Sequence, residues 1–269
     1  MNPITQKTYS IFLMTILSFL FIVQAASVSV PSKAPTIAAA MASVKKGDTV
    51  WVEEGVYREH IYVNPGVTLI SRTIFKAVID GSGRGTVVTM SNGSKLSGFE
   101  IRNGTVGIFS TSAGVSITQC RIIYNQQTGI MSVGNLPKIE DNIIVYNRGS
   151  GIQGWDVRST SASINHNTIA FNSNHGVAIG GSSSVILENS IIAFNDQFGV
   201  KPSEEAVRIT MINNSFFQNS KFTNVLPSDN FSLDPMFGDA KKLNFMLSQD
   251  SRCIGKGSDN QDIGARVIY

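Results

Sequence analysis

Two of the chain's three histidines fall within one stretch, HNTIAFNSNHGVAIGG, residues 166–181. An imidazole can act near neutral pH as a general base or bind a transition metal. Whether His166 and His175 act together depends on whether the chain brings both to one place. Other reactive groups are sparse. Cys120 and Cys253 are the only thiols, too few for a disulfide scaffold, and read as two buried thiols rather than a bridge. Asp80-Gly81-Ser82-Gly83 has the residue types of a metal loop but reads as a turn between strands. His60 lies in an early strand and reads as structural.

The elements that must position these groups come from an internal repeat. An asparagine, three residues, then a glycine and an aliphatic recur at Asn103/Gly107-Ile108, Asn125/Gly129-Ile130, Asn147/Gly151-Ile152, Asn172/Gly176-Val177 and Asn195/Gly199-Val200. The glycines are 22, 22, 25 and 23 residues apart. Two further columns align with the last four asparagines and with Asn219. One holds Ile122, Ile144, Ile169, Ile192 and Phe216. The other holds Ile117, Ile139, Ile164, Leu187 and Met211. Short β-branched segments broken by Asn and Gly read as strands and turns. Three strands per unit close one coil, and stacked coils pair strands about 4.8 Å apart. Aliphatics then fill the interior, side-chain amides hydrogen-bond along a corner, and each glycine makes a bend that a Cβ would obstruct. The chain is expected to be all-β, a right-handed single-stranded parallel β-helix of 22–25-residue coils, with an N-terminal capping helix starting at Pro35-Thr36.

The 269 residues are 42% hydrophobic, enough for a core, and 15% charged, well below the usual quarter or so. The net charge is +3 and no Lys/Arg cluster stands out, which argues against a nucleic-acid partner. Lys7, an apolar run from Tyr9 to Val23 and Val23-Gln24-Ala25 have the form of a cleavable signal peptide, residues 1–25. A secreted or periplasmic monomer without stable membrane insertion is expected. The β-helix and its cap should span 26–220, and 221–269 should form an irregular C-terminal capping segment.

The segment PTIAAAMASVKKGDTVWVEEGVYREHIYVNPGVTLISR (35–72), the rungs NTIAFNSNHGV and NSIIAFNDQFGV, and the closing DPMF and DIGA resemble parallel β-helix proteins of the pectin-lyase-like superfamily. That superfamily includes polysaccharide lyases, glycoside hydrolases, epimerases, periplasmic copper-site proteins and proteins without assigned activity, so the resemblance speaks for fold more than chemistry. It implies a polysaccharide, above all an acidic one, lying along the sheet that holds the Ile117 column. The outward neighbours there and the entering loops 154–162 and 201–208 would place Lys138, Glu140, Trp155, Asp156, Arg158, Asn165, Glu188, Lys201 and Arg208 around one groove.

Three readings follow. A lyase needs a base for the proton α to a uronate carboxylate and a cation for the developing enolate. Lys138 or Arg158 would be the base, Lys201 or Arg208 would bind carboxylates, and Glu140, Asp156 and Glu188 could hold Ca²⁺. The dense aspartate cluster of calcium-dependent pectate lyases is missing, and no other cofactor is implied. An inverting hydrolase needs two carboxyls about 6.5–9.5 Å apart. Glu140 and Glu188, two coils apart, would be about 9.6 Å apart at the backbone. The acidic motifs of polygalacturonases and the alginate-epimerase signature are absent. The third reading is a non-catalytic glycan-binding or structural cell-surface protein with Trp155 as a sugar platform. The histidines separate: His166 aligns with Gln119, Asp141, Asn189 and Asn213, and His175 with Thr128, Ser150 and Phe198. They occupy different corners, so a shared metal is not expected.

Overall fold

The computed structural model describes residues 25–159, 162–201, 207–221, 226–258 and 260–267. The expected signal segment, except Ala25, lies outside them. The chain winds as a parallel β-solenoid with nine-, eight- and six-stranded sheets. Each coil passes through them in that order. One coil, for instance, runs through Lys138–Glu140, Ile143–Val145 and Ile152–Val157.

The sequence columns are rows of register. Ile117, Ile139, Ile164, Leu187 and Met211 are successive partners in the nine-stranded sheet. Ile122, Ile144, Ile169, Ile192 and Phe216 do the same in the eight-stranded sheet. Ile108, Ile130, Ile152 and Val177 continue through the six-stranded sheet. One interior core collects members of all three rows. Helix Ile37–Ser43 covers its start with Ile37, Ala40 and Met41 buried. Thr36 caps the helix by accepting from Ala39 N at 3.0 Å, and the Glu59 carboxylate takes the N–H groups of Ile37 and Ala38.

The two sharp corners are held in an unusual way. Both carry non-glycine residues in the left-handed region: Gln119, Asp141, His166, Asn189 and Asn213 at one, Tyr124, Tyr146, Phe171, Phe194 and Gln218 at the other. That conformation costs on the order of 1–2 kcal/mol per residue. Buried polar side chains follow each corner residue and satisfy the backbone there. Oδ1 of Asn167 accepts from N and Nδ2 of Asn142 at 3.0 and 3.1 Å. At the second corner Oδ1 of Asn147 takes N and Nδ2 of Asn125, and Asn172, Asn195 and Asn219 repeat the pattern. The residue that starts this second ladder is not the expected Asn103. Ile123 pairs with Arg102, so Asn103 sits in the left-handed row beside Tyr124, and Gly104 N donates to Asn125 Oδ1. That coil is one residue shorter between corner and glycine, which misaligned the asparagines.

The glycines Gly107, Gly129, Gly151 and Gly176 are required for space rather than for φ. A Cβ there would lie 2.6–2.8 Å from the next coil's glycine carbonyl oxygen. The chain beyond 221 extends the ladder through Asn230, whose Oδ1 accepts from Asn214 at 3.1 and 2.9 Å. It then runs back along the outer face of the eight-stranded sheet. Phe245 and Val267 pack on Ile123, Ile143, Val145 and Ala170, and Cys253 and Ile263 pack on Ile191 and Ala193. Arg266 pairs with Asp141 at 2.9 Å. This cover explains runs such as Ile143–Val145 and Ile191–Ala193, which are buried on both faces and lack polar alternation.

Replacing Asn147 by Ala leaves the Asn125 N–H and the Ile122 carbonyl unsatisfied and should cost about 3 kcal/mol. Gly151→Ala should cost about 2 kcal/mol by overpacking. Urea unfolding followed by circular dichroism measures both, and an exposed control such as Gln127→Ala should leave the midpoint in place.

Candidate functional site

The outer face of the nine-stranded sheet is the surface the groove residues were expected to share. Lys138 and Glu140 alternate outward around buried Ile139. Glu140, Asn165 and Glu188 form one outward row in successive strands. The neighbouring row holds Lys95, Ser116 and Lys138. Lys95 was missed from the sequence because the repeat was aligned only from the next coil, although Lys95-Leu96-Ser97 has the same pattern. Arg208 also faces outward, opposite Ser184. Most of the remaining outward side chains here are serines and threonines, giving a flat, hydroxyl-rich face.

Lys201 does not join this face. It follows Val200, which bridges to Val177 of the six-stranded sheet, and its N–H donates to the Val177 carbonyl. Register carries it to a different side of the coil. Residues 202–206 of the expected loop lie outside the described residues.

Trp155, Asp156 and Arg158 stand where the six-stranded sheet turns into the nine-stranded one. Strand Ile152–Val157 pairs with Val177–Gly181 through a register shift between Gly154 and Val157. Two residues, Trp155 and Asp156, therefore stand where the neighbour has one, which defines a β-bulge. Asp156 takes a positive φ of 49°, and Trp155 turns outward with 54% of its surface exposed, beside Val133. Trp155 faces outward by ordinary alternation from buried Ile152, in register with exposed Val133, and the bulge seats Asp156 beside it.

The charged groups near these positions are paired. Lys138 Nζ lies 2.5 Å from Glu140 Oε2, and Arg158 grips Asp156 through two bonds of 3.1 and 2.6 Å. Both pairs are too solvated to add much stability. Their chemical effect is larger: each proposed base has a carboxylate partner on its own coil. Glu140 and Glu188 are separated by the strand of Asn165, with no third acid between them. Among the described residues, no group of three or more His, Cys, Asp or Glu could hold a metal ion. The face offers hydroxyls, amides, cations, the carboxylates of Glu140 and Glu188, and two indoles, Trp51 beneath the Arg72 guanidinium and the exposed Trp155 at the edge.

The histidines are apart, as their rows required. His166 is buried at the first corner. His175 lies at another part of the coil, where its Nδ1 accepts from Phe198 N at 3.3 Å, and partial burial with Lys201 and Lys221 nearby lowers its pKa.

A protein-family model described as "Periplasmic copper-binding protein (NosD)" matches residues 45–231, well over half of the chain. Among solved structures, the crystal structure of pectate lyase Pel9A superposes with a TM-score of 0.56 at 13% identity, covering 89% of this chain and 96% of that one. The pectin methylesterase from Aspergillus niger in deglycosylated form gives 0.39 at 12% identity, covering 76% and 90%. The Escherichia coli protein ybhc gives 0.45 at 12% identity, covering 97% and 86%. No curated protein sequence matches. At these identities the likeness to Pel9A concerns the fold alone.

The copper in the family's description can be tested against the side chains. Copper takes imidazole, thiolate or thioether ligands converging within bonding distance. Here His60 Nδ1 lies 2.8 Å from the Thr86 carbonyl, and the other two histidines are at separate places. Cys120 is buried with its thiol against the Thr118 carbonyl, and burial pushes its pKa up to about 12. Cys253, in the C-terminal segment, is buried against Ile191 and Ala193. Among the described residues the histidines and cysteines do not converge on a copper site.

Both thiols should stay unmodified by a thiol reagent at pH 8 in the folded protein and give two labels per chain in denaturant. Rapid native labelling would contradict their burial. For His175, a folded pKa below the unfolded value means that the unfolded chain takes the proton first. Stability should therefore fall as pH drops below about 6.5, and His175→Gln should flatten that part of a stability–pH curve.

Proposed function

Taking as premise that the chain belongs to the family described as periplasmic copper-binding protein (NosD), we propose that it is an exported β-helix module that binds an acidic, uronate-containing polysaccharide without cleaving it. The observation that carries this reading is the exposed Trp155, beside the bulge at the edge of the hydroxyl-rich nine-stranded face. An exposed indole offers the apolar C–H face of a sugar ring a rigid platform at little entropic cost. Lys95 and Arg208 supply positive charge on the same side. Strands about 4.8 Å apart present these groups at regular intervals to a chain lying along the axis.

The ion pairs favour binding over elimination. Lys138 would have to leave Glu140, and Arg158 would have to leave Asp156, before either could take a proton. An inverting hydrolase would need Glu140 unpaired as well. The family's periplasmic description and the absence of a membrane-spanning helix among the described residues accord with an exported protein.

A panel of uronate polymers and neutral glucans, assayed with and without Ca²⁺, tests the proposal. Uronate polymers should bind, and salt should weaken the binding. Trp155→Ala should weaken it about tenfold, with circular dichroism unchanged. Appearance of an unsaturated, ultraviolet-absorbing product would establish a lyase instead, and reducing ends without unsaturation would establish a hydrolase.

A further inference from the structure

The corner between the eight- and six-stranded sheets carries a column of aromatic rings. Tyr124 stacks on Tyr146 with centroids 5.7 Å apart, Tyr146 on Phe171 at 5.2 Å, and Phe171 on Phe194 at 4.8 Å. All occupy the left-handed corner position, which points each ring out of the coil. The C-terminal segment covers the middle of this column, with Phe245 against Tyr146 and Phe171, and Phe237 against Phe171.

The column ends differently at Tyr124. The next position in its row is Asn103, which has no ring, and the Asn103 amide is drawn aside by a 2.9 Å bond to Asp80. Tyr124 is consequently 47% exposed. It forms one wall of a concavity of about 380 Å³, whose rim is polar. Loop residues Ser82 and Gly83 stand on one side, and Gln126 ties that loop down through a 2.7 Å bond to the Gly83 carbonyl. Arg148, one coil on from Gln126, is exposed at the rim and belongs to no ion pair among the described residues.

We propose that this concavity is a second glycan subsite, taking a uronate ring with its C–H face on Tyr124 and its carboxylate on Arg148. An aromatic wall with a few placed polar groups is the usual make-up of a small-ligand site. A guanidinium matches a carboxylate in two parallel hydrogen bonds. Gln126 and the Ser82 hydroxyl are placed for ring hydroxyls. The assignment rests on the glycan reading above, but it concerns a different surface, around the coil from the Trp155 bulge.

Calorimetric titration of the purified chain with a short oligogalacturonate, beside a neutral oligosaccharide of equal length, separates the two surfaces. The wild type should bind two oligogalacturonates per chain. Tyr124→Ala and Trp155→Ala should each leave one site at wild-type affinity and weaken the other about tenfold, and the double variant should weaken both. Tyr124→Phe should keep both. Arg148→Gln leaves the ring column intact and should weaken the second site about fivefold for the uronate, with no change for the neutral sugar. If Tyr124→Ala and Arg148→Gln both reproduce the wild-type isotherm while Trp155→Ala weakens binding, the second subsite is wrong and the proposed function stands. If Trp155→Ala changes nothing but Tyr124→Ala weakens a site, the inference stands and the Trp155 platform falls. A wild type that binds no oligogalacturonate overturns both.

Discussion

The structure depends on how backbone N–H groups are satisfied where the chain turns between sheets. A coil this short turns sharply, and each turn buries peptide groups that no strand can pair. At the two sharp corners the chain places a residue with positive φ and in most coils follows it with an asparagine whose amide bonds up and down the stack, Cys120, Ser190 and Gly104 being the exceptions. Each asparagine both donates and accepts, so one ladder satisfies side chain and backbone together. The ladder tolerates coils of different length because it constrains only the corner. The 25-residue coil takes its excess between Ile152 and Ala162, one residue of it in the bulge at Asp156, away from the asparagines. Fixed corners hold the aliphatic rows in register, and the rows hold the outward side chains in columns.

Which columns meet solvent is settled by what lies over them. The C-terminal segment covers the eight-stranded sheet, packing Phe245, Cys253 and Ile263 onto an apolar surface and anchoring itself by Arg266 on Asp141. Ile123, Ile143 and Ala170 would otherwise leave an apolar patch exposed to water, a liability for association. The nine-stranded face has alternating small polar residues instead and stays open. The aromatic column is intermediate, covered in its middle and bare at Tyr124. The surfaces available for recognition are thus the ones whose composition does not demand a cover.

The polar groups on the open face are consistent with a recognition surface. Lys138 and Arg158 lie in local ion pairs, and Glu140 and Glu188 are separated by the strand of Asn165. Catalysis requires groups held in unequal environments so that one gives and another takes a proton. A binding face has no such requirement and gains from repetition. The solenoid supplies that repetition, while the bulge and the end of the aromatic column are the two places where it is interrupted and a flat ring is exposed.

The sequence by itself determined the coil, the interior rows and the separation of the two histidines, because each depends on local geometry repeated at a fixed period. It also marked Trp155, since a lengthened repeat must put its excess somewhere. It misplaced Asn103 by one residue, since spacing alone does not distinguish a shorter turn from a regular one. It assigned Lys201 to the wrong face and passed over Lys95, because a residue's side depends on the register its neighbours impose. Only the tertiary structure decided that Lys138 pairs with Glu140, that Asp156 takes Arg158, and that the C-terminal segment leaves Tyr124 bare. Those outcomes depend on side-chain reach and on contacts between distant segments, which no periodicity encodes.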